Sequence, residues 1–105
     1  MTEPHHLVFR VVFYQHGSEW YGHCLDCDVV SSGKTEKDAA NAVAEALEAL
    51  IEESFRSGDL SPLFAPAPLE FWDMYAKSAR HLPPRQLDAN VEEGGGAEIL
   101  SAAVA

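Results

Sequence analysis

The feature that most constrains this chain is a change of apolar period at Gly33-Lys34-Thr35. Before that junction the pattern has period two. Residues 7–14 place Val8, Arg10, Val12 and Tyr14 on one side and Leu7, Phe9, Val11 and Phe13 on the other, which predicts a strand rich in β-branched and aromatic side chains. Residues 15–18 hold Gly17 and small polar groups suited to a hairpin loop, and residues 19–25 read as the returning antiparallel strand. Asp26-Cys27-Asp28 interrupts the alternation, and Val29 to Ser32 resume it, so a third short strand ends at Gly33.

After the junction the period becomes helical. Ala40, Val43, Leu47, Leu50, Ile51 and Phe55 recur at steps of three and four, while Glu45, Glu48, Glu52 and Glu53 fall mainly off that stripe. Thr35 suits an N-cap, Glu36 and Asp38 place negative charge where the helix dipole favours it, and Gly58 suits the residue beyond the C-cap. The pattern therefore predicts an α+β fold, a three-stranded antiparallel meander covered on one face by one long α-helix.

Beyond Gly58 the signals change in kind. Pro62, Pro66 and Pro68 exclude a central strand or a helix interior from residues 61–68. Leu69, Trp72 and either Tyr75 or Ala76 share a face after Pro68, which predicts a short second helix; a fourth strand at residues 60–64 or 69–74 is the alternative. From His81 onward, paired prolines, a triple glycine and an Ala-rich end predict a loosely ordered tail. The expected organisation is one domain over residues 1–80 and a tail over residues 81–105.

Charge narrows the function. Seven Lys and Arg oppose seventeen Asp and Glu, giving a formal net charge of −10. Nucleic-acid backbones need clustered cations, so direct binding to DNA or RNA is disfavoured, whereas a basic protein surface would be steered toward such a chain. No run approaches the roughly 18 apolar residues that a membrane helix needs, and the N-terminus lacks a basic and then apolar leader, so a cytoplasmic protein is expected.

His23-Cys24-Leu25-Asp26-Cys27 contains the ligand types that zinc prefers, but no second Cys-x-x-Cys accompanies it, and two buried inert thiols are expected instead. Asp26, Asp28 and Glu45 supply the oxygen ligands of a two-metal nuclease in principle, yet that chemistry wants acids on a central strand. No phosphate loop or nucleophile elbow is present. The expectation is a non-enzymatic protein with no catalytic residues, no metal site and no cofactor.

Trp20 and Cys24 on the second strand, the Asp26 and Asp28 step, the Gly33-x-Thr35 turn and the spacing of Ala39, Ala40, Asn41 and Glu45 together resemble the HicB-like antitoxin domain over residues 7–60. The resemblance implies a partial ribonuclease-H-like fold, with three antiparallel strands, a helix and commonly a fourth strand. It implies neutralisation of a small basic HicA-like ribonuclease toxin in a toxin-antitoxin system. Many members add an operator-binding segment; here residues 61–105 offer only Lys77, Arg80 and Arg85 as cations, so a single-domain member without DNA binding is expected. The alternative is an orphan homo-oligomeric module with a regulatory role and no toxin.

Four residues are expected to meet the partner: Glu19, Tyr21, Asp26 and Asp28. Self-association into a dimer or larger homo-oligomer is expected through Phe71, Trp72 and Tyr75, and through an unpaired edge on the first or third strand.

Overall fold

The computed structural model describes residues 6–89 and 95–104. Its first strand, β1 (His6–His16), pairs antiparallel with β2 (Glu19–Cys24) in a register that sets His16 against Glu19 and Val11 against Cys24. The loop is therefore only Gly17 and Ser18. Of the two, Gly17 alone has positive φ (63°), the requirement of a type II′ hairpin turn. β3 (Val30–Gly33) continues the meander against β2.

The long helix α1 (Glu36–Ser57) starts where Thr35 accepts a hydrogen bond from the Asp38 amide at 3.0 Å and stops where Gly58 turns left-handed at φ 79°. Its buried stripe is Ala39, Val43, Ala44, Leu47, Ile51 and Ser54, with Ala40, Leu50 and Phe55 packed along the margins. The centre of contact thus falls on smaller residues than the pattern of large side chains suggests, and these let the helix axis approach the sheet closely. A 3-10 turn (Ser61–Phe64) and a second helix, α2 (Leu69–Lys77), follow. The short helix matches expectation, and neither candidate site for a fourth strand is one.

The larger difference lies in the tail. β4 (Arg80–Leu87) and β5 (Gly96–Ala103) complete a five-stranded mixed sheet of order β3-β2-β1-β5-β4. β5 runs parallel to β1 along its whole length, from His6 against Gly96 to Phe13 against Ala103, and β4 pairs antiparallel with β5. Residues 81–105 are thus not a loose tail where they are described; residues 90–94 and 105 of that segment lie outside the described part. Pro83 and Pro84 sit on the edge strand at a break in register between Leu82 and Arg85, where missing N–H donors cost no ladder bond. β1 accordingly has neighbours on both sides and no open edge, contrary to the expectation that it could offer one to a second chain.

Each face of the sheet has its own cover. Phe9, Val11 and Phe13 of β1, Cys24 of β2 and Ala97, Ile99 and Ala103 of β5 close against α1, Leu63 and Leu87. On the opposite face Val12, Leu25 and Ala67 are buried, with Tyr14, Phe71, Trp72, Met74 and Tyr75 around them. α2 provides that second cover without burying any residue of its own fully. The intervening chain is strapped down by the Ala67 amide, which donates to the Leu25 carbonyl at 2.8 Å.

Candidate functional site

The turn joining β2 to β3 gathers most of the chemically capable side chains. The alternation of β2 sends His23 and Cys24 to opposite faces. Cys24 and Cys27 point into the α1 side of the core, where their sulfurs lie 3.4 Å apart. His23 faces α2, with its ring 4.1 Å from Phe71 and its Nε2–H donating to Asp28 at 2.7 Å, so that Nδ1 is buried without a partner among the described residues. A joint Cys-His metal centre is therefore blocked by the pleat itself. Among the described residues, no group of three or more His, Cys, Asp or Glu is placed to hold a metal ion.

The two thiols are both free and both buried. Their proximity divides them. The bond with Cys27, reinforced by burial, pushes the Cys24 thiol far up. Cys27 moves the other way, lowered chiefly by the bond with Cys24 and further by the Val29 amide, against the effect of burial.

Asp26 and Asp28 are committed to the turn. Asp26 accepts from the Arg10 amide at 2.6 Å and lies 3.7 Å from the Arg10 guanidinium, while Asp28 adopts φ 55° and holds His23. Glu19 begins β2 at the hairpin end, so at ~3.3 Å per residue it stands on the order of 20 Å from Asp26. Tyr21 is half-buried and stacks on Tyr14 at 5.6 Å. The four residues expected to meet a partner are thus divided, Glu19 and Tyr21 on β2 and Asp26 and Asp28 in the turn that follows it. Glu45 is on the exposed side of α1, away from both aspartates' internal bonds.

Phe71, Trp72 and Tyr75, expected at an oligomer contact, all make internal contacts. Phe71 stacks on Tyr14 at 6.0 Å, Trp72 donates its Nε1–H to the Ala67 carbonyl at 3.2 Å beneath the Arg10 guanidinium, and Tyr75 meets His81 edge-on. Their shared task in the monomer is to hold α2 on the sheet.

A feature that the sequence pattern did not single out lies beside them. A cleft of about 400 Å³ opens between the start of β1 and the 3-10 turn, lined by Val8, Phe64, Pro66 and Trp72 with His6 and Asp26 as polar members. Phe64 is 67% exposed there, and Leu69 at the start of α2 is 83% exposed. The 3-10 turn buries Leu63 and turns its neighbour Phe64 outward, a division that no local signal in the sequence marked.

No family model, curated protein or solved structure matches this chain.

The charges complete the picture. Arg10, Arg56, Lys77 and Arg80 pair with Asp26, Glu53, Asp73 and Glu36 of the same chain, and Arg85 donates to Asn41 at 2.9 Å. Four of the seven cations are thus paired with acids, whereas Lys34 and Lys37 at the start of α1 and Glu45 and Glu52 along it are exposed without an ion pair among the described residues. No helix among the described residues is long and apolar enough to cross a membrane.

Proposed function

We propose that this chain is a non-catalytic protein-binding domain of the HicB antitoxin type, whose partner is a small basic ribonuclease toxin. The observation that carries the reading is the excess of acids, a formal net charge of −10, with four cations paired inside the chain and Glu45 and Glu52 exposed on α1, so that the molecule as a whole carries a negative field. Such a field speeds encounter with a basic surface and repels nucleic acid. The cleft beside Phe64 adds an apolar contact able to take one or two side chains of that partner. The β-β-β-α order of β1 to α1 is the order the resemblance implies, and this supports the reading.

The test is to look beside this reading frame for a short one that encodes a basic protein and to co-express the two; the absence of such a frame would count against the proposal. A complex that survives purification at 0.1 M salt, dissociates at 1 M and suppresses RNA cleavage supports the proposal, because screening shortens from ~10 Å to ~3 Å over that range. Glu45→Lys combined with Glu52→Lys should weaken it further at low salt.

A specific observation favours the second reading, an orphan homo-oligomer. The outer edge of β3 is unpaired in the sheet, and Val30 on it is 51% exposed. A chain that sediments as a dimer at 1 M salt and leaves the ribonuclease active would favour this reading over the antitoxin.

A further inference from the structure

We propose that Cys24 and Cys27 form a reversible intramolecular disulfide in the folded protein, with Cys27 as the thiol oxidised first and Cys24 as the resolving thiol. The geometry is already close. The sulfurs are 3.4 Å apart across a turn of two residues, and a disulfide bond of about 2.05 Å needs only a small closing motion. Both side chains lie in the same core cluster, so no third thiol or metal competes for them among the described residues.

The order follows from access and acidity. Cys24 is completely buried, and its proton is held firmly by the neighbouring sulfur and by the apolar surroundings. Cys27 retains 6% exposure and is the more acidic of the two, with the Val29 amide beside its sulfur. Thiolate is the nucleophile in such chemistry.

With so little opening, the oxidant must be small, and a peroxide fits. The Cys27 thiolate attacks one peroxide oxygen, the O–O bond breaks, and the departing hydroxide takes a proton to leave as water, giving a sulfenic acid on Cys27. The Cys24 sulfur then attacks the Cys27 sulfur, the S–O bond breaks, and the released hydroxide takes the Cys24 proton to form a second water. Two protons and two electrons leave the protein, and one hydrogen peroxide becomes two waters.

The consequence reaches the surface through Asp26 and Asp28, which flank Cys27. Drawing Cys27 toward Cys24 pulls on the Asp26 bond to the Arg10 amide and on the Asp28 bond to His23. The Arg10 amide is thus a reporter of the state of the pair.

The experiment treats the reduced full chain with hydrogen peroxide under native conditions, quenches it, alkylates in denaturant and measures intact mass. The expected product has lost the mass of two hydrogen atoms, resists alkylation at both cysteines, carries no disulfide to a second chain and is restored by a dithiol reductant, with a shifted Arg10 amide resonance. Alkylation of both thiols, oxygen addition on either, a disulfide-linked dimer, or oxidation only when denaturant is added beforehand would each overturn the proposal. Cys24→Ala should trap the sulfenic acid on Cys27, whereas Cys27→Ala should leave Cys24 unreactive; should the second variant oxidise as fast as the first, the assigned order is wrong.

Discussion

At Gly22 and Gly33 a single added methyl group meets a closed wall, for two different reasons. A Cβ on Gly22 would stand 2.8 Å from Phe13 Cε1 and 3.2 Å from Val43 Cγ1, so α1 and β1 crowd β2 with side chains. On Gly33 it would stand 2.6 Å from Asp38 Cβ and 2.7 Å from the Ala39 amide nitrogen, which belongs to the first turn of α1. Side chains yield more readily than helix backbone. Gly22→Ala should therefore cost about 1–3 kcal/mol, the usual range for overpacking, and Gly33→Ala more than that, as read from urea unfolding midpoints at unchanged m-value. Thr35→Ala, which removes only the cap, should cost about 1 kcal/mol. Tyr14 gives a pH prediction. Burial first, then the neighbouring Tyr21 and Glu70, raise its pKa above the ordinary tyrosine value of about 10. The folded state thus keeps this proton after the unfolded chain has lost it. The associated stability is complete below pH about 10 and drains as pH rises through the folded value, so Tyr14→Phe should flatten the alkaline limb of stability against pH. An unchanged alkaline limb would count against the packing of that ring.

Among the elements, α1 and α2 contrast most clearly. α1 buries six residues and is capped at both ends, whereas α2 buries none and is held by Phe71 and Trp72. Amide hydrogen exchange should find the slowest amides in β1 and the middle of α1, and α2 should open with a free energy well below that of global unfolding. Phe71→Ala should speed exchange in α2 while leaving the centre of α1 protected. The same contrast explains what the chain made legible. β1, the hairpin and α1 declare themselves through local signals: alternation, a glycine at the turn, a threonine cap and a terminal glycine. β5 does not. Ala97, Ala102 and Ala103 carry weak strand preference, and the strand is fixed by pairing with a segment some ninety residues earlier, a contact no local window contains. A clue was nevertheless present in β1, where Phe9, Val11 and Phe13 on one side and Val12 and Tyr14 on the other make both faces apolar, as a central strand requires. Among the candidate site residues, the thiol pair was legible from its spacing, but the division of His23 from Cys24 needed the pleat, and the cleft beside Phe64 needed the path of the proline segment.

For the whole molecule, the sheet order makes the C-terminal residues structural rather than dispensable. β5 lies between β1 and β4, so it donates and accepts ladder bonds on both sides and contributes Ala97, Ile99 and Ala103 to the core under α1. Removing it would expose the backbone edge of β1, take Ala97, Ile99 and Ala103 out of the core cluster and leave β4 with no strand to pair with. A loose tail predicts the reverse, because its loss would cost no ladder bond and no burial. A chain ending at residue 95 should thus lose cooperative thermal unfolding and near-ultraviolet circular dichroism, and should associate through the bared, apolar β1 edge, which is the behaviour of an unprotected strand. Ile99→Asp in the full-length chain tests the same point without shortening it, since a charge placed at a 3% exposed position in the core cluster would cost several kcal/mol. If the shortened chain melted cooperatively within a few degrees of the intact one, β5 would not be a strand of this sheet, and the edge of β1 would be free to join a second copy.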